Sequence, residues 1–256
     1  MSRFFTFVYG CTAYLLFLAT ILYLIGFVAD IPGLKTINTG VEGDARVAAV
    51  VDVLLLALFA AQHSIMARRG FKQWWTRFVP QPAERSTYVL AASLALALMI
   101  WQWRPISGVV WSVDDSAARY LLIALFGGGW AILFIASFMI NHFELFGLQQ
   151  SYGYWRGRRF EPLAFRTPAL YRLVRHPIYL GIILGFWATP NMTVGHLLFS
   201  IVTTGYILLG IAFEERDLIA QFGNQYRRYK VEVGMLLPRL GTRKAGQADT
   251  TQRGSL

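Results

Sequence analysis

Residues 175–215 read RHPIYLGIILGFWATPNMTVGHLLFSIVTTGYILLGIAFEE, and between His176 and Phe213 there is no Lys, Arg, Asp or Glu. An uncharged run of this length is nearly double the roughly 20 residues that one helical crossing of a bilayer requires, so it must fold back on itself. Thr189-Pro190-Asn191-Met192-Thr193 supplies the reversal, because proline and asparagine favour turns and interrupt helices. Neither arm is comfortably long enough to span, and a partly re-entrant pair stays open beside a full hairpin. Arg175 and His176 stand at one end of this run and Glu214-Glu215 at the other. Ionisable groups crowded against an apolar segment cost free energy unless they bind something, and their pattern points to a polar, partly anionic ligand at the membrane surface.

Outward from the hairpin, four more uncharged stretches appear: Phe4–Ala29, Val47–Ala67 broken only by Asp52, Ser86–Trp103, and Tyr120–Phe143. With 256 residues, 55% hydrophobic and 15% aromatic content, and mean hydropathy +0.45, the chain falls in the polytopic membrane class and not among soluble folds. The fold expected is an all-α polytopic membrane protein: four spanning helices, a C-terminal apolar helical hairpin that brings the total to five or six membrane helices, and a short cytoplasmic helical tail. The first run is too long for a cleaved signal and lacks a small-x-small site, so it reads as a retained helix. Cys11 lies within it as the only cysteine, which excludes disulfide, thiol-pair and zinc-cysteine chemistry.

The net charge of +10 is unevenly placed. Arg68, Arg69, Lys72, Arg77 and Arg85 separate the second and third spans, and Arg156, Arg158, Arg159, Arg166, Arg172 and Arg175 separate the fourth from the hairpin. The tail is basic again, whereas the alternate loops balance their few cations with acids. Positive-inside bias therefore places the N-terminus, both basic loops, the site and the tail in the cytoplasm, consistent with a multi-pass protein of a bacterial inner membrane. Anionic lipid explains these arginines without a nucleic-acid partner. The stretch 149–172 interleaves arginine with Tyr152, Tyr154, Trp155, Phe160, Phe165 and Tyr171, as expected of a segment on the interface or covering the site. Residues 1–244 read as one membrane domain and 245–256 as a disordered tail. Glu214–Phe222 is helical in pattern with Gly223 as its stop, and Tyr226 and Tyr229 lie on one face of a second short helix. Gly127-Gly128-Gly129 in the fourth span suits close helix approach, and Asp52 suits helix packing or a shallow position at the outer side.

Several spaced elements carry a resemblance: Arg175-His176-Pro177-x-Tyr179-x-Gly181, Glu214-Glu215, Phe222-Gly223-x-x-Tyr226-x-x-Tyr229 and Pro238-Arg239. Together they resemble the isoprenylcysteine carboxyl methyltransferase and phospholipid methyltransferase superfamily over about 170–240, with the final motif altered in order to Leu236-Leu237-Pro238-Arg239-Leu240. Ala61-Gln62-His63-Ser64-x-Met66-Ala67-Arg68, Glu84-Arg85-Ser86-Thr87-Tyr88 and Asn141-His142-Phe143-Glu144-Leu145-Phe146-Gly147-Leu148 are similar to a narrower group, the bacterial methanethiol S-methyltransferases. The superfamily resemblance implies S-adenosylmethionine as donor and S-adenosylhomocysteine as product; the narrower one implies a small thiol as acceptor. Methylation of a prenylcysteine carboxylate or an aminolipid is the alternative within enzymes, and a non-enzymatic transporter or assembly factor the alternative outside them.

The donor presents a carboxylate, an ammonium, ribose hydroxyls and an adenine. Arg175 or His176 can meet the carboxylate, Glu214 or Glu215 the hydroxyls or the ammonium, and Tyr179, Tyr226 and Tyr229 can wall the adenine, with Pro177 and Gly181 of the same motif counted among the donor-binding residues. On the acceptor side a small thiol is mostly protonated near pH 7, and a neutral histidine is the natural base. His63 lies five residues before Arg68, about 7.5 Å along a helix from the cytoplasmic end, and His142 closes the fourth span on the same side with Glu144 two residues on. His63 is the first candidate for base or thiol-positioning group, ahead of His142 and Glu144; Arg85 and Arg239 are the candidates for acceptor binding. No metal is expected, because the histidines lack ligand spacing.

Overall fold

The structure is a computed structural model that describes residues 2–41, 43–158 and 165–239. Phe160 and the stretch 245–256 lie outside them. In chain order the elements are α1 (Arg3–Val28), α2 (Ala45–Ala67), α3 (Arg69–Trp75), α4 (Gln81–Gln102), β1 (Val109–Ser112), α5 (Ser116–Ile140), α6 (His142–Leu145), α7 (Leu148–Trp155), α8 (Pro177–Trp187), β2 (Asn191–Thr193), α9 (Val194–Phe222) and α10 (Asn224–Glu232). Among the described residues α1, α2, α4, α5 and α9 are long and apolar enough to cross a membrane. Their outward faces keep Leu54, Leu58, Leu121, Ile135 and Leu209 exposed, which suits lipid and not water. The chain is an all-α polytopic membrane protein.

Capping residues set where these helices start. Asp44 accepts from the amides of Arg46 and Val47, Asp115 from Ala118 and Thr193 from His196, each meeting donors that a helix start leaves unpaired. The third span begins at Gln81, ahead of the uncharged run, because a proline in its first turn needs no amide partner there. That extension carries Glu84 and Arg85 on the helix itself. At the end opposite the basic loops Phe27, Met99, Trp103 and Phe199 form the core, and Trp103 Nε1 donates to the Ile37 carbonyl at 3.1 Å. Asp52, fully buried at the same end, accepts from the amide of Arg104.

The hairpin is asymmetric. Trp187 Nε1 donates to Thr204 Oγ1 at 2.9 Å, so α8 ends beside a residue ten positions into α9, about 15 Å from its start. The helix itself adds about 16 Å, and the two lengths together match the rise of about 31 Å from Val194 to Glu215. That equality is why His176 meets Glu215. Beyond Trp187 the first arm continues as non-helical Ala188–Thr193, whose strand β2 pairs antiparallel with β1, Trp111 opposite Met192. Trp111 Nε1 donates to the Thr189 carbonyl, and the carbonyl of Phe186, released where α8 stops, accepts from His196 Nε2 and Ser200 Oγ, both at 2.9 Å. With its backbone partnered in this way, a non-helical segment is tolerated among membrane helices. The first arm thus runs the length of the bundle, part helix and part extended chain.

Glycine decides how α8 sits on α5. A Cβ at Gly181 would fall 2.4 Å from the Gly129 carbonyl oxygen, and one at Gly185 2.8 Å from the Trp130 ring. Of the three consecutive glycines only Gly129 makes this approach; Gly127 and Gly128 face open space.

Candidate active site

The basic end is tied together by backbone before any side chain acts. Val174 forms a parallel bridge with Gly234, the amide of Arg175 donates to the Gly234 carbonyl at 2.8 Å, and that of His176 to Met235 at 3.1 Å. Sixty residues of chain are closed by these contacts, and they bring the Arg-His pair under the tail. Glu215, on the last turns of α9, then meets three nitrogen groups: Arg175 Nε at 2.7 Å and His176 Nε2 at 3.2 Å on Oε1, and Lys230 Nζ at 2.6 Å on Oε2. The Arg175 guanidinium also donates to the carbonyls of Lys230 and Val233. Arg175, His176 and Glu215 are all buried, and this saturation of partners is what makes burying the charges tolerable.

Glu214 differs from its neighbour. Its side chain is 44% exposed, its Oε2 lies 3.8 Å from His176 Nδ1, and the Tyr179 hydroxyl faces it from α8. The two glutamates expected to act together thus divide: Glu215 is spent within the protein and Glu214 is available. Arg175 is likewise spent.

Pro177 opens α8 directly after His176, and Gly181 is buried against Gly129 of α5 rather than facing the charged cluster. Tyr226 and Tyr229 are buried together under Phe165, whose ring meets theirs edge-on at 5.8 and 5.4 Å. Tyr229 donates to the Tyr171 carbonyl at 2.5 Å, and burial pushes its phenol up to about 12, so it stays a neutral donor. Beside these rings an open cleft of about 490 Å³ is lined by Phe165, Asn224, Gln225, Arg228, Tyr229 and Glu232.

The remaining candidates come from the front half of the chain. His63 Nε2 lies 2.7 Å from the Tyr88 hydroxyl, while Nδ1 is buried with no partner among the described residues. One residue on, Ser64 Oγ lies 3.1 Å from the Tyr206 hydroxyl of α9. Tyr88 is in the electrostatic reach of Tyr206 and Glu214, and Tyr179 in that of Tyr88, so His63 of α2, Tyr88 of α4, Tyr179 of α8 and Glu214 of α9 converge. Arg85 stacks over the Tyr88 ring at 5.0 Å and donates to the Leu145 carbonyl at 2.8 Å. Arg85 and Glu144 line one cavity of about 410 Å³ with Lys72, Glu84 and Gln150. Burial raises the Glu144 carboxyl, opposed by the Asn141 amide at 3.0 Å and by the charge of Arg85.

His142 is built differently from His63. Its Nε2 lies 2.9 Å from the Tyr14 hydroxyl, its Nδ1 2.8 Å from Ser137 Oγ, and its ring stacks on Phe138 with centroids 4.2 Å apart. Both nitrogens are used, and burial pushes its pKa down. Arg239 is exposed and donates to the Val231 carbonyl at the end of α10. The stretch after His142 packs as α7 on α1, with Trp155 stacked on Phe7 at 4.8 Å.

Sequence reasoning did not single out Tyr88, Tyr206 or Lys230 as site residues. Tyr88 was within reach of it, since it falls one turn after Arg85 on the same helix. Tyr206 carries a hydroxyl in the middle of an apolar run, and Lys230 lies one position from Tyr229 on a tail helix too polar to stand out.

A family model described as NnrU protein matches residues 52–233. Methanethiol S-methyltransferase 1 of Bradyrhizobium diazoefficiens is 55% identical over 92% of this chain and 83% of its own length. Methanethiol S-methyltransferase of Mycobacterium tuberculosis is also 55% identical, over 93% of this chain and 98% of its own, and that of Pseudomonas sp. strain GM41(2012) is 52% identical over 90% and 89%. No solved structure matches the chain. The family model and the relatives alike span the helices that bring His63, Tyr88, Tyr179 and Glu214 together, and the chain belongs to the NnrU family, alongside these methanethiol S-methyltransferases.

Proposed function

We propose that this protein transfers a methyl group from S-adenosylmethionine to methanethiol, giving dimethyl sulfide and S-adenosylhomocysteine, in the bacterial inner membrane with the basic end in the cytoplasm. The observation that carries the reading is the convergence of His63 and Tyr88, from the motifs shared with thiol methyltransferases, on Tyr179 and Glu214, from the motifs shared with the wider superfamily.

The donor's chemistry fits the residues present. Glu214, half-exposed beside His176, offers a carboxylate for an ammonium or for ribose hydroxyls. In the cleft beside Tyr229, Arg228 offers a cation for a carboxylate, and Phe165 and Tyr229 offer aromatic faces for an adenine. Arg175, Glu215 and Lys230 hold these groups in place without contacting the donor. When bound, the donor supplies an electrophilic methyl on a positively charged sulfur.

For such an in-line displacement the protein's work is to align the acceptor, exclude water and remove one proton. The thiol sulfur forms the new S–C bond, the old C–S bond breaks with its electron pair going to the departing thioether, and the thiol proton passes to a base. His63 is that base, half-buried against Phe59 of its own helix and Tyr88 of α4, with Nδ1 unpartnered among the described residues. His142, with both nitrogens occupied, holds α1 to α5 and α6. A small acceptor suits a base flanked by the rings of Phe59 and Tyr88.

The test is headspace gas chromatography of the purified protein in detergent with S-adenosylmethionine and methanethiol. Dimethyl sulfide is expected from the wild type. Its absence despite binding of S-adenosylmethionine in calorimetry would move the acceptor to a prenylcysteine carboxylate or an aminolipid, and absence of binding would remove the enzyme reading.

A further inference from the structure

We propose that the cavity between α3, α4, α6 and α7 holds a ligand that carries a primary ammonium and a phosphate a few atoms apart, the headgroup of an aminophospholipid in the leaflet at the basic end. The proposal goes beyond the methyl-transfer reading, in which this cavity has no part.

Charges of both signs line this cavity of about 410 Å³: Lys72 of α3, Glu84 and Arg85 of α4, and Glu144 of α6. Among the described residues no ion pair joins any two of them. Other bonds keep them apart. Arg85 donates from Nε to the Leu145 carbonyl at 2.8 Å and lies over the Tyr88 ring, and its two terminal nitrogens meet no acceptor among the described residues. Glu144 accepts from the Asn141 side-chain amide at 3.0 Å on Oε2, which leaves Oε1 without a donor there. Gln150, on the same wall, donates to the Glu144 carbonyl at 3.1 Å, while its own Oε1 is buried and unpartnered among the described residues. All four charged residues are half-buried, where an unpaired charge costs more than at a free surface. Burial accordingly pushes the Glu144 carboxyl up and the Lys72 ammonium down. Two anions and two cations that do not cancel one another make a cavity complementary to a molecule that itself bears one of each.

Position in the fold decides the source of that molecule. The cavity lies where Gln81 opens α4 and Ile140 closes α5, beside α3, the short helix that follows the second span directly. Phe71, Trp74, Trp75 and Phe78 form one aromatic cluster on and just after α3, with ring centroids 5.4 to 5.9 Å apart. Trp74 is 48% and Phe78 69% exposed. Exposed tryptophan and phenylalanine among Arg68, Arg69 and Arg77 mark the depth of the lipid headgroups. At that depth a headgroup outnumbers any soluble zwitterion. Arg85, with its planar fork, and Lys72 take the phosphate; Glu84 and Glu144 take the ammonium, whose three N–H donors suit carboxylate oxygens. An ammonium held between carboxylates keeps its proton and has no lone pair to attack a methyl group, so this lipid is held and not methylated.

The experiment uses the full chain in detergent with short-chain phospholipids bearing ethanolamine, choline or glycerol headgroups, and with soluble phosphoethanolamine. Native mass spectrometry counts the lipid retained from an equimolar mixture, and unfolding midpoints are read for wild type, Glu84→Gln and Lys72→Gln. The wild type is expected to retain the ethanolamine lipid and to gain about 5 °C or more at about a hundredfold excess over Kd. The choline lipid has no N–H to donate and the glycerol lipid no cation, and both should give clearly smaller shifts. Each variant should lose about tenfold in affinity for the ethanolamine lipid while its affinity for S-adenosylmethionine stays within about twofold. Equal retention of the three lipids overturns the proposal even if neither variant folds. So does undiminished retention of the ethanolamine lipid in both variants. A shift from phosphoethanolamine as large as that from the lipid overturns the lipid as source and gives the cavity to a soluble zwitterion. A tenfold loss of S-adenosylmethionine affinity in Glu84→Gln without any lipid preference gives it to the donor instead, and a methylated headgroup after incubation with S-adenosylmethionine overturns the holding role.

Discussion

Glu215 Oε1 lies 2.7 Å from Arg175 Nε, forty residues away in the chain, and both side chains are only 6% exposed. A pair this buried contributes little net stability when intact, but removing one partner strands the other. Glu215→Ala is therefore expected to destabilise the protein by about 3–5 kcal/mol. Thermal unfolding in detergent, followed by intrinsic fluorescence, measures it; a midpoint within a degree or two of wild type would show that the pair holds nothing together.

Glu214→Gln should behave in the opposite way. The side chain is half-exposed and His176 Nδ1 lies 3.8 Å off, beyond hydrogen-bond reach, so the midpoint should hardly move while the affinity for S-adenosylmethionine falls by about tenfold or more. Calorimetric titration of the folded variant gives both quantities. Unchanged affinity would take Glu214 out of the donor site.

Adding one methyl group should separate the glycines of α5. Gly129→Ala forces a Cβ into backbone of the facing helix α8 and is expected to cost about 1–3 kcal/mol, whereas Gly127→Ala meets nothing within 4 Å and should be neutral or slightly stabilising. Comparison of their unfolding midpoints distinguishes a glycine that permits contact from two that merely accompany it.

His142 gives the fold an acid-side dependence. Burial lowers its pKa in the folded state, so below the ordinary histidine value of about 6.5 the unfolded chain binds a proton that the folded one resists. Its contribution is fully present above that value and declines as pH falls through the window below it. Midpoints measured from pH 5 to 8 should drop on the acid side, and His142→Gln should flatten the drop. An equal slope in the variant would assign the dependence to other groups.

The sequence made the apolar crossings legible because lipid admits so few alternatives, and it made the charged ends of the hairpin legible because charge there is rare. It did not show how the hairpin crosses. Periodicity reports helix, and the extended Ala188–Thr193 owes its place to β1 some eighty residues earlier and to His196 and Ser200, whose hydroxyl and imidazole look like ordinary interruptions of a run. The two glutamates were equivalent on paper; one step of 100° around α9 buries one and exposes the other. His63 and His142 were likewise alike in depth, and only their hydroxyl partners, Tyr88 on one side and Tyr14 with Ser137 on the other, tell a free nitrogen from two used ones. Gly181 sat inside the most informative motif and turned out to face another helix.

The bridge between Val174 and Gly234 makes the order of synthesis matter. Every helix that enters the bilayer is translated before Lys230 and Val233, yet Arg175 finds two of its carbonyl partners, and Glu215 its lysine, only in that late segment. A nascent chain can therefore finish insertion while its guanidinium is still under-satisfied, and residues 230–235 act as the closing step of biogenesis. Fusions or truncations that hold this stretch back would leave a protein that is in the membrane but has not matured.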